Sequence, residues 1–148
     1  MKAVIQLVKR ASVSVDSEII SEIKKGYCIL VGIFENDTED DILKIAQKIE
    51  TIRICPDESL KLNKSIKDYQ GEILLVSQFT LCANLNYGRR PSFIEAMKGD
   101  KALEFFKNLK DLLVIKGFSV KTGQFGTYMN VEIVNDGPVT IVLDSKNL

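Results

Sequence analysis

The sequence contains no histidine and no tryptophan, only three prolines and three cysteines, and no long uninterrupted apolar segment. Without an imidazole the chain cannot form a Ser-His-Asp or Cys-His relay, which excludes the commonest hydrolase mechanisms. Any chemistry must use hydroxyls, amides, backbone groups or the substrate itself. No apolar run approaches the roughly 20 residues that span a bilayer. Met1 is followed at once by a strand-like pattern, which leaves no room for a signal peptide, so we expect a cytoplasmic protein without membrane contact.

The cysteines, Cys28, Cys55 and Cys82, show no CxxC spacing. Three scattered cysteines indicate neither a disulfide framework nor a zinc site, so we expect buried thiols, no metal and no cofactor. Twenty basic residues balance twenty acidic ones, so the net charge is zero and no overall field attracts polyanions. A nucleic-acid partner therefore needs a local basic patch.

The 148 residues fit one domain, 1–148, with no repeat or linker. Thr38 and Asp41 form a capping box that predicts a helix over 39–53, and a second helix is predicted from Asp100 to near Gly117. Two long helices on a curved, mainly antiparallel, barrel-like sheet give an α+β fold, and its strand-rich ends are compatible with a homodimer. Strands are predicted over 4–8 and 13–15, joined as a hairpin or bent strand, and over 27–34, 73–76, 118–121, 129–134 and 139–144.

The segment Ser-Gln-Phe-Thr-Leu at 77–81 follows a buried strand. Strand alternation sends Ser77 and Phe79 to one face and Gln78 and Thr80 to the other, so a hydroxyl and an amide share a face. At a strand end, the N–H groups of Phe79 and Thr80 could donate to a developing oxyanion, an effect of about 3–4 kcal/mol per donor. The alternative is that Ser77 and Thr80 only satisfy neighbouring backbone groups.

The segment Asn-Asp-Gly-Pro at 135–138 favours a β-hairpin turn between two strands. The alternative is a cis Gly137-Pro138 bond, a form that only about 5–6% of X-Pro bonds adopt, which could aim backbone carbonyls at a ligand's ammonium group.

Residues 88–93 place Arg89 and Arg90 beside a predicted helix start at Ser92, a favourable site for phosphate oxygens. The alternative is a solvated loop whose arginines pair with local carboxylates. The segment Gly-Gln-Phe-Gly at 123–126 indicates a tight bend beside a strand.

Together, the order and spacing of these segments resemble those of the D-aminoacyl-tRNA deacylases, the family that clears D-amino acids mischarged onto tRNA. The resemblance covers nearly the full length. Its matching segments are 5–6, 11–13, 26–32, 37–38, Lys61 with Asn63, 77–81, 90–93, 122–123, 125–126 with Met129, and 135–140.

This resemblance implies a compact β-rich homodimer with helices on one face and active sites at the subunit interface. A Gly-cis-Pro element, matched by Gly137 and Pro138, reaches into the partner's site in that family. Its carbonyls capture the α-ammonium of a D-aminoacyl group and leave no space for an L side chain. Glycine on tRNA can also be accepted.

The implied reaction is hydrolysis of the ester that joins a D-amino acid to the 3′-terminal ribose of tRNA. One account makes the threonine matched by Thr80 a nucleophile; another lets the substrate's 2′-hydroxyl assist a water. The missing histidine favours the second account, because the sequence offers Thr80 no evident base.

Site roles follow from the same resemblance. Phe79 and Thr80 stabilise the oxyanion, Ser77 and Gln78 shape the pocket, and two arginines contact tRNA phosphates. Substrate binding and chiral selection fall to four residues. The arginines that contact tRNA phosphates are Arg89 and Arg90. The residues for substrate binding and chiral selection are Gly137, Pro138, Val139 and Met129.

The chain departs from the family pattern in two places. Cys55 and Leu60 replace an aromatic residue and a glycine, and Thr127 with Tyr128 replaces a small-acidic pair at the pocket edge. Two competing interpretations remain, a non-catalytic nucleic-acid-binding module on the same fold and a plain dimeric interaction protein. Neither would cleave the ester.

Overall fold

The computed structural model describes residues 1–86 and 88–148. It has the predicted α+β class, and both long helices are confirmed. No helix in these residues is long and apolar enough to cross a membrane. The helices and strands are β1 Lys2–Val15, β2 Glu18–Ile23, β3 Gly26–Gly32, α1 Glu39–Thr51, β4 Cys55–Pro56, β5 Leu62–Lys64, α2 Ile66–Tyr69, β6 Glu72–Ser77, α3 Gly99–Ile115, β7 Val120–Thr122 and β8 Asn130–Asp144, with 3₁₀ turns at Phe79–Cys82 and Ser145–Asn147.

The main sheet has the strand order β2-β1-β3-β6-β7, and β8 pairs with β1. Strand β1 pairs antiparallel with β2, β3 and β8, whereas β3, β6 and β7 run parallel. The Ser21 hydroxyl donates to the Thr122 carbonyl over 2.7 Å, which brings β2 back against β7. The sheet is therefore curved and nearly closed. The bent-strand prediction for β1 is confirmed, while β2 was missed.

Both faces of the central strands are buried, which explains their unbroken apolar sequences. In β6, Ile73 and Leu75 pack with α1 and α3 in the larger core, and Leu74 and Val76 pack in a second core inside the curved sheet. All three cysteines are buried and free, as predicted.

Helix α1 begins as predicted, with Thr38 as its cap. The Asp41 carboxylate accepts the Thr38 N–H over 2.8 Å, the Ser145 hydroxyl over 2.6 Å and the Lys146 ammonium over 2.9 Å. Burial favours the neutral acid, but these hydrogen bonds outweigh it and hold the pKa of Asp41 well below its usual range.

Lys98 occupies the N-cap position of helix α3 without a side-chain capping bond, and Asp100 lies in the first turn, so the predicted cap was wrong. The Met97 N–H donates to the Ile33 carbonyl over 2.9 Å, which holds the chain beside the end of β3 until the helix begins. The helix ends at Ile115, near the predicted Gly117.

No helix begins at Ser92, which corrects a second prediction. Its N–H donates to the Asn84 carbonyl over 3.0 Å, and its carbonyl accepts the Asn84 N–H over 2.8 Å. Because this β-bridge uses both backbone groups, they cannot start a helix.

The polar segment after α1 forms the β4–β5 hairpin. Its turn places Leu60 at φ 62°, with the N–H donating to the Asp57 carbonyl over 3.0 Å. A left-handed residue after a tight turn is a position that glycine fills with least strain. The departure at Leu60 therefore has a conformational cost, and the side chain is 83% exposed.

Strand β8 runs through the segment predicted as a hairpin turn, so that prediction and the division into two strands were wrong. Gln6 pairs with Thr140 and Val8 pairs with Asn135, so four β8 residues, 136–139, lie opposite one residue of β1. The result is a bulge in which Gly137 is exposed. Long-range pairing with β1 overrides the local turn preference.

Candidate active site

A cleft of about 730 Å³ opens where the parallel strands β3 and β6 end. Strand β6 ends at Ser77, and the Gln78 N–H then donates to the Val31 carbonyl over 2.7 Å. The chain leaves the sheet there, so polar groups follow a buried strand into open space. Three segments form much of the cleft wall, residues 77–80, 97–99 and 125–129.

The predicted strand alternation over 77–80 was wrong, because residues 79–82 form a 3₁₀ turn. The amide and hydroxyl nevertheless meet: the Gln78 Nε2 donates to the Thr80 Oγ1 over 2.5 Å. An amide donor cannot take a proton from the hydroxyl, so this contact orients Thr80 without activating it.

Two backbone donors lie at the start of this turn. Within the described residues, the N–H groups of Phe79 and Thr80 have no hydrogen-bond acceptor, since the turn's bonds begin with the Leu81 N–H and the Gln78 carbonyl. The Phe79 ring packs edge-to-face on Phe93, with centroids 5.0 Å apart. Neighbouring free donors on a packed turn can bind an oxygen that gains negative charge.

The cleft is nearly free of ionisable groups. Among the described residues that line it, Lys98 is the only Lys, Arg, Asp or Glu. The nearby Cys82 thiol donates to the Ile33 carbonyl over 3.4 Å, and burial, with a smaller effect of Asp37, raises its pKa to about 11. It is a neutral thiol at physiological pH. The described residues contain no cluster of three or more His, Cys, Asp or Glu side chains that could hold a metal ion.

Met129 lies on the cleft wall, held by the bend predicted at 123–126. Its sulfur accepts the Gln124 N–H over 3.2 Å, and a Cβ on Gly123 would lie 2.7 Å from the same atom. Phe125 packs against Phe106 of α3, with ring centroids 5.8 Å apart. The loop that carries Met129 is therefore anchored to the helix.

Five of the predicted site residues line the cleft: Ser77, Gln78, Phe79, Thr80 and Met129. The other five do not line it. Arg89 and Arg90 lie on an exposed loop, as the alternative expected, but among the described residues neither arginine has a carboxylate within ion-pair distance. The bulge residues Gly137, Pro138 and Val139 lie outside the cleft of their own chain. The Gly137-Pro138 bond is cis, as the second alternative required.

A family-level sequence model described as D-Tyr-tRNA(Tyr) deacylase matches residues 4–144. The chain belongs to this family. A D-aminoacyl-tRNA deacylase from Clostridium acetobutylicum is 49% identical over 148 residues, covering 100% of this chain and 99% of the relative. One from Staphylococcus aureus strain JH9 is 50% identical over 147 residues, covering 99% and 97%.

Two solved structures share the architecture of this deacylase-family chain. One is titled "c-Myc DNA Unwinding Element Binding Protein" and superposes with a TM-score of 0.91 at 45% identity, covering 97% of this chain and 98% of that one. The other, titled as a probable eukaryotic D-amino acid tRNA deacylase, has a TM-score of 0.81 at 13% identity and covers 96% and 97%. The second likeness concerns the fold alone.

Sequence reasoning missed two residues that shape the deacylase-family cleft. Lys98 lines it because the segment before α3 runs beside β3, a contact that no local pattern announces. Gly32 allows the 3₁₀ turn to approach β3, since a Cβ there would lie 2.8 Å from the Leu81 Cβ. A glycine at the end of an otherwise apolar strand was the available signal.

Proposed function

We propose that this protein hydrolyses the ester joining a D-amino acid to the 3′-terminal ribose of tRNA, releasing free D-amino acid and tRNA. Family membership supports the reaction class. The observation that carries the mechanism is a cleft with two free backbone N–H groups and a hydroxyl, and without histidine, aspartate or glutamate among its described lining residues.

In this mechanism a water attacks the ester carbonyl, helped by the adjacent 2′-hydroxyl of the substrate. The N–H groups of Phe79 and Thr80 stabilise the oxyanion, an effect of about 3–4 kcal/mol per donor. The Thr80 hydroxyl receives a hydrogen bond from Gln78, and no His, Asp or Glu is among the described residues that line the cleft, so in this mechanism the side chain positions rather than attacks. Ser77 and Gln78 shape the pocket wall.

Chiral selection falls to the bulge of a second copy. Gly137 and Pro138 are exposed and lie outside the cleft of their own chain, so in a homodimer they can enter the partner's cleft. Their carbonyls would bind the substrate's α-ammonium, a cation for which the described lining residues offer no carboxylate. Val139 and Met129 border the aminoacyl group. An L side chain would collide with the bulge, while glycine would pass.

The part of the tRNA that lies outside the cleft contacts cationic side chains. Arg89 and Arg90 lie on an exposed loop and can contact phosphates without reading sequence. Because the chain as a whole has zero net charge, such binding is brief and depends on salt. The place of action is the cytoplasm, where tRNA is charged, and residues 1–148 act as one domain.

The first experiment compares hydrolysis of D-tyrosyl-tRNA and L-tyrosyl-tRNA by the wild type and by Thr80→Ala. We expect loss of the D ester alone, with activity surviving in the variant. Abolished activity in Thr80→Ala would restore its hydroxyl as a candidate nucleophile. Equal stability of both esters with wild-type protein would replace the proposal by the nucleic-acid-binding module.

A second pair of variants isolates one oxyanion donor. Phe79 is the first residue of the 3₁₀ turn, a position that tolerates proline because the N–H there has no partner within the turn. Phe79→Pro should have a kcat about 10²–10³-fold below that of Phe79→Ala, which lacks the same ring but keeps the N–H. Equal kcat values in the two variants would remove this N–H from the mechanism.

A further inference from the structure

An aromatic ring stands unpartnered at the cleft of this protein. Tyr128 lines the cleft and is 91% exposed, and within the described residues it has neither an aromatic contact nor a hydrogen bond. It follows the turn at Gly126 and the anchored ring of Phe125, so the backbone presents it to solvent from a fixed loop. The fold makes little use of this side chain.

The same cleft carries a cation. Lys98 is exposed, and its ammonium has no carboxylate partner among the described residues. Its side chain does not cap α3. A cleft whose described lining residues include a lysine and no carboxylate favours an anionic ligand, and the exposed aromatic on the same cleft adds a flat apolar surface. This pairing of stacking surface and cation is how proteins hold single-stranded nucleic acid.

The size of the cleft indicates which nucleotide reaches the ring. A volume of about 730 Å³ suits one drug-sized ligand, such as an aminoacyl nucleoside placed against Thr80. The unpaired nucleotides that precede the terminal adenosine must then leave the cleft across its exposed edge. Tyr128 is the most exposed large apolar or aromatic side chain among the described residues, and it lines this cleft.

We propose that Tyr128 stacks on the base that precedes the terminal adenosine of the tRNA substrate, and that Lys98 contacts a phosphate of the same unpaired segment. This inference rests on the proposed function. Stacking is equal in the ground state and the transition state, so it lowers KM and leaves kcat unchanged.

The test compares Tyr128→Ala, Tyr128→Phe and wild type on D-tyrosyl-tRNA and on the 3′ ester of D-tyrosyl-adenosine, which lacks the preceding base. Tyr128→Ala should raise KM for the tRNA about 5- to 140-fold, equivalent to about 1–3 kcal/mol for one stacked base. Tyr128→Phe keeps the ring and should match wild type. The effect should be confined to the tRNA substrate. Ile115→Ala, at the far end of α3 and 81% exposed, is the matched control.

Salt dependence tests the lysine. For Lys98→Gln, the slope of log(1/KM) against log salt concentration should fall by about 0.7, the value for one lost phosphate contact on a single strand. An unchanged slope overturns the phosphate contact.

If the wild type is active, three outcomes would overturn the stacking proposal and leave the proposed function intact. They are an unchanged KM in Tyr128→Ala, an equal rise in KM for the adenosine ester, and a shift from dimer to monomer in sedimentation. The last would assign Tyr128 to contact with a second copy of the chain. Failure of the wild type on both D esters would instead refute the proposed function.

Discussion

Replacing Gly32 by alanine tests whether close packing against β3 positions the catalytic turn. A Cβ at Gly32 would lie 2.8 Å from the Leu81 Cβ, 3.1 Å from the Gln78 carbonyl oxygen and 3.2 Å from the sulfur of Cys82. Ordinary carbon contacts begin near 3.5 Å, so the turn must move by roughly 0.7–1.2 Å. The turn that would move, residues 79–82, includes Phe79 and Thr80, whose N–H groups are the proposed oxyanion donors.

The expected effects are separable. A misplacement of about 1 Å can cost about 10²-fold in rate, so kcat/KM on D-tyrosyl-tRNA should fall by about that factor. Overpacking should lower the free energy of unfolding by about 1–3 kcal/mol, measured by urea denaturation. The activity is to be expressed per folded molecule.

Gly117→Ala is the control. Gly117 has φ 92° and open space around its Cβ position, so alanine strains the backbone by about 1–2 kcal/mol without touching the cleft. It should lose stability and keep kcat/KM. If Gly32→Ala retains wild-type kcat/KM, or loses no more than the control, the close approach of the turn to β3 does not position the site.

Three further predictions concern other parts of the molecule. Gly123→Ala should displace the Met129 sulfur, which lies 2.7 Å from the new Cβ, so KM should rise because Met129 borders the substrate. The melting temperature should change little, because the flexible thioether can rotate away. Leu60→Gly should raise the free energy of unfolding by about 0.5–1 kcal/mol in urea, since it relieves a positive φ at an exposed side chain. Asp41→Asn should lower that energy at pH 7 by about 1–3 kcal/mol. Because the folded pKa of Asp41 is depressed, its contribution is present above about pH 4 and is lost on acidification, so the variant should lose less stability than wild type between pH 4 and pH 2.

Each of these has a contrary result. An unchanged KM in Gly123→Ala would show that Met129 does not border the substrate. A loss of stability in Leu60→Gly would mean that its apolar contacts outweigh the strain. An Asp41→Asn variant with the wild-type acid dependence would assign acid unfolding to other carboxylates.

Local patterns predicted the elements whose signals are local. The capping box at Thr38 and the apolar periodicity after it located α1 to within two residues at either end. The unbroken apolar run at 73–76 identified a strand buried on both faces. Ser77 ends that strand, as predicted, and lines the cleft.

The errors occurred where distant contacts override local preference. Residues 135–138 have turn-forming sequence, yet pairing with β1 keeps them in one strand with a bulge. Ser92 looks like a helix start, but its backbone is bonded to Asn84. The contribution of Lys98 depends on where the chain passes the end of β3, a tertiary fact that spacing along the sequence does not contain.

The pairing of β1 with β8 also determines how late in translation the sheet can be completed. Paired residues are separated by 116 positions for Ser14 and Asn130 and by 142 for Lys2 and Asp144. At roughly 5–20 residues per second, one edge of β1 waits roughly 6–28 s on the ribosome before its partner exists. An unpaired strand edge of this length invites association with other chains. Newly made chains are therefore expected to need a chaperone that covers this edge until β8 emerges. The complete sheet can form only after β8 has been translated.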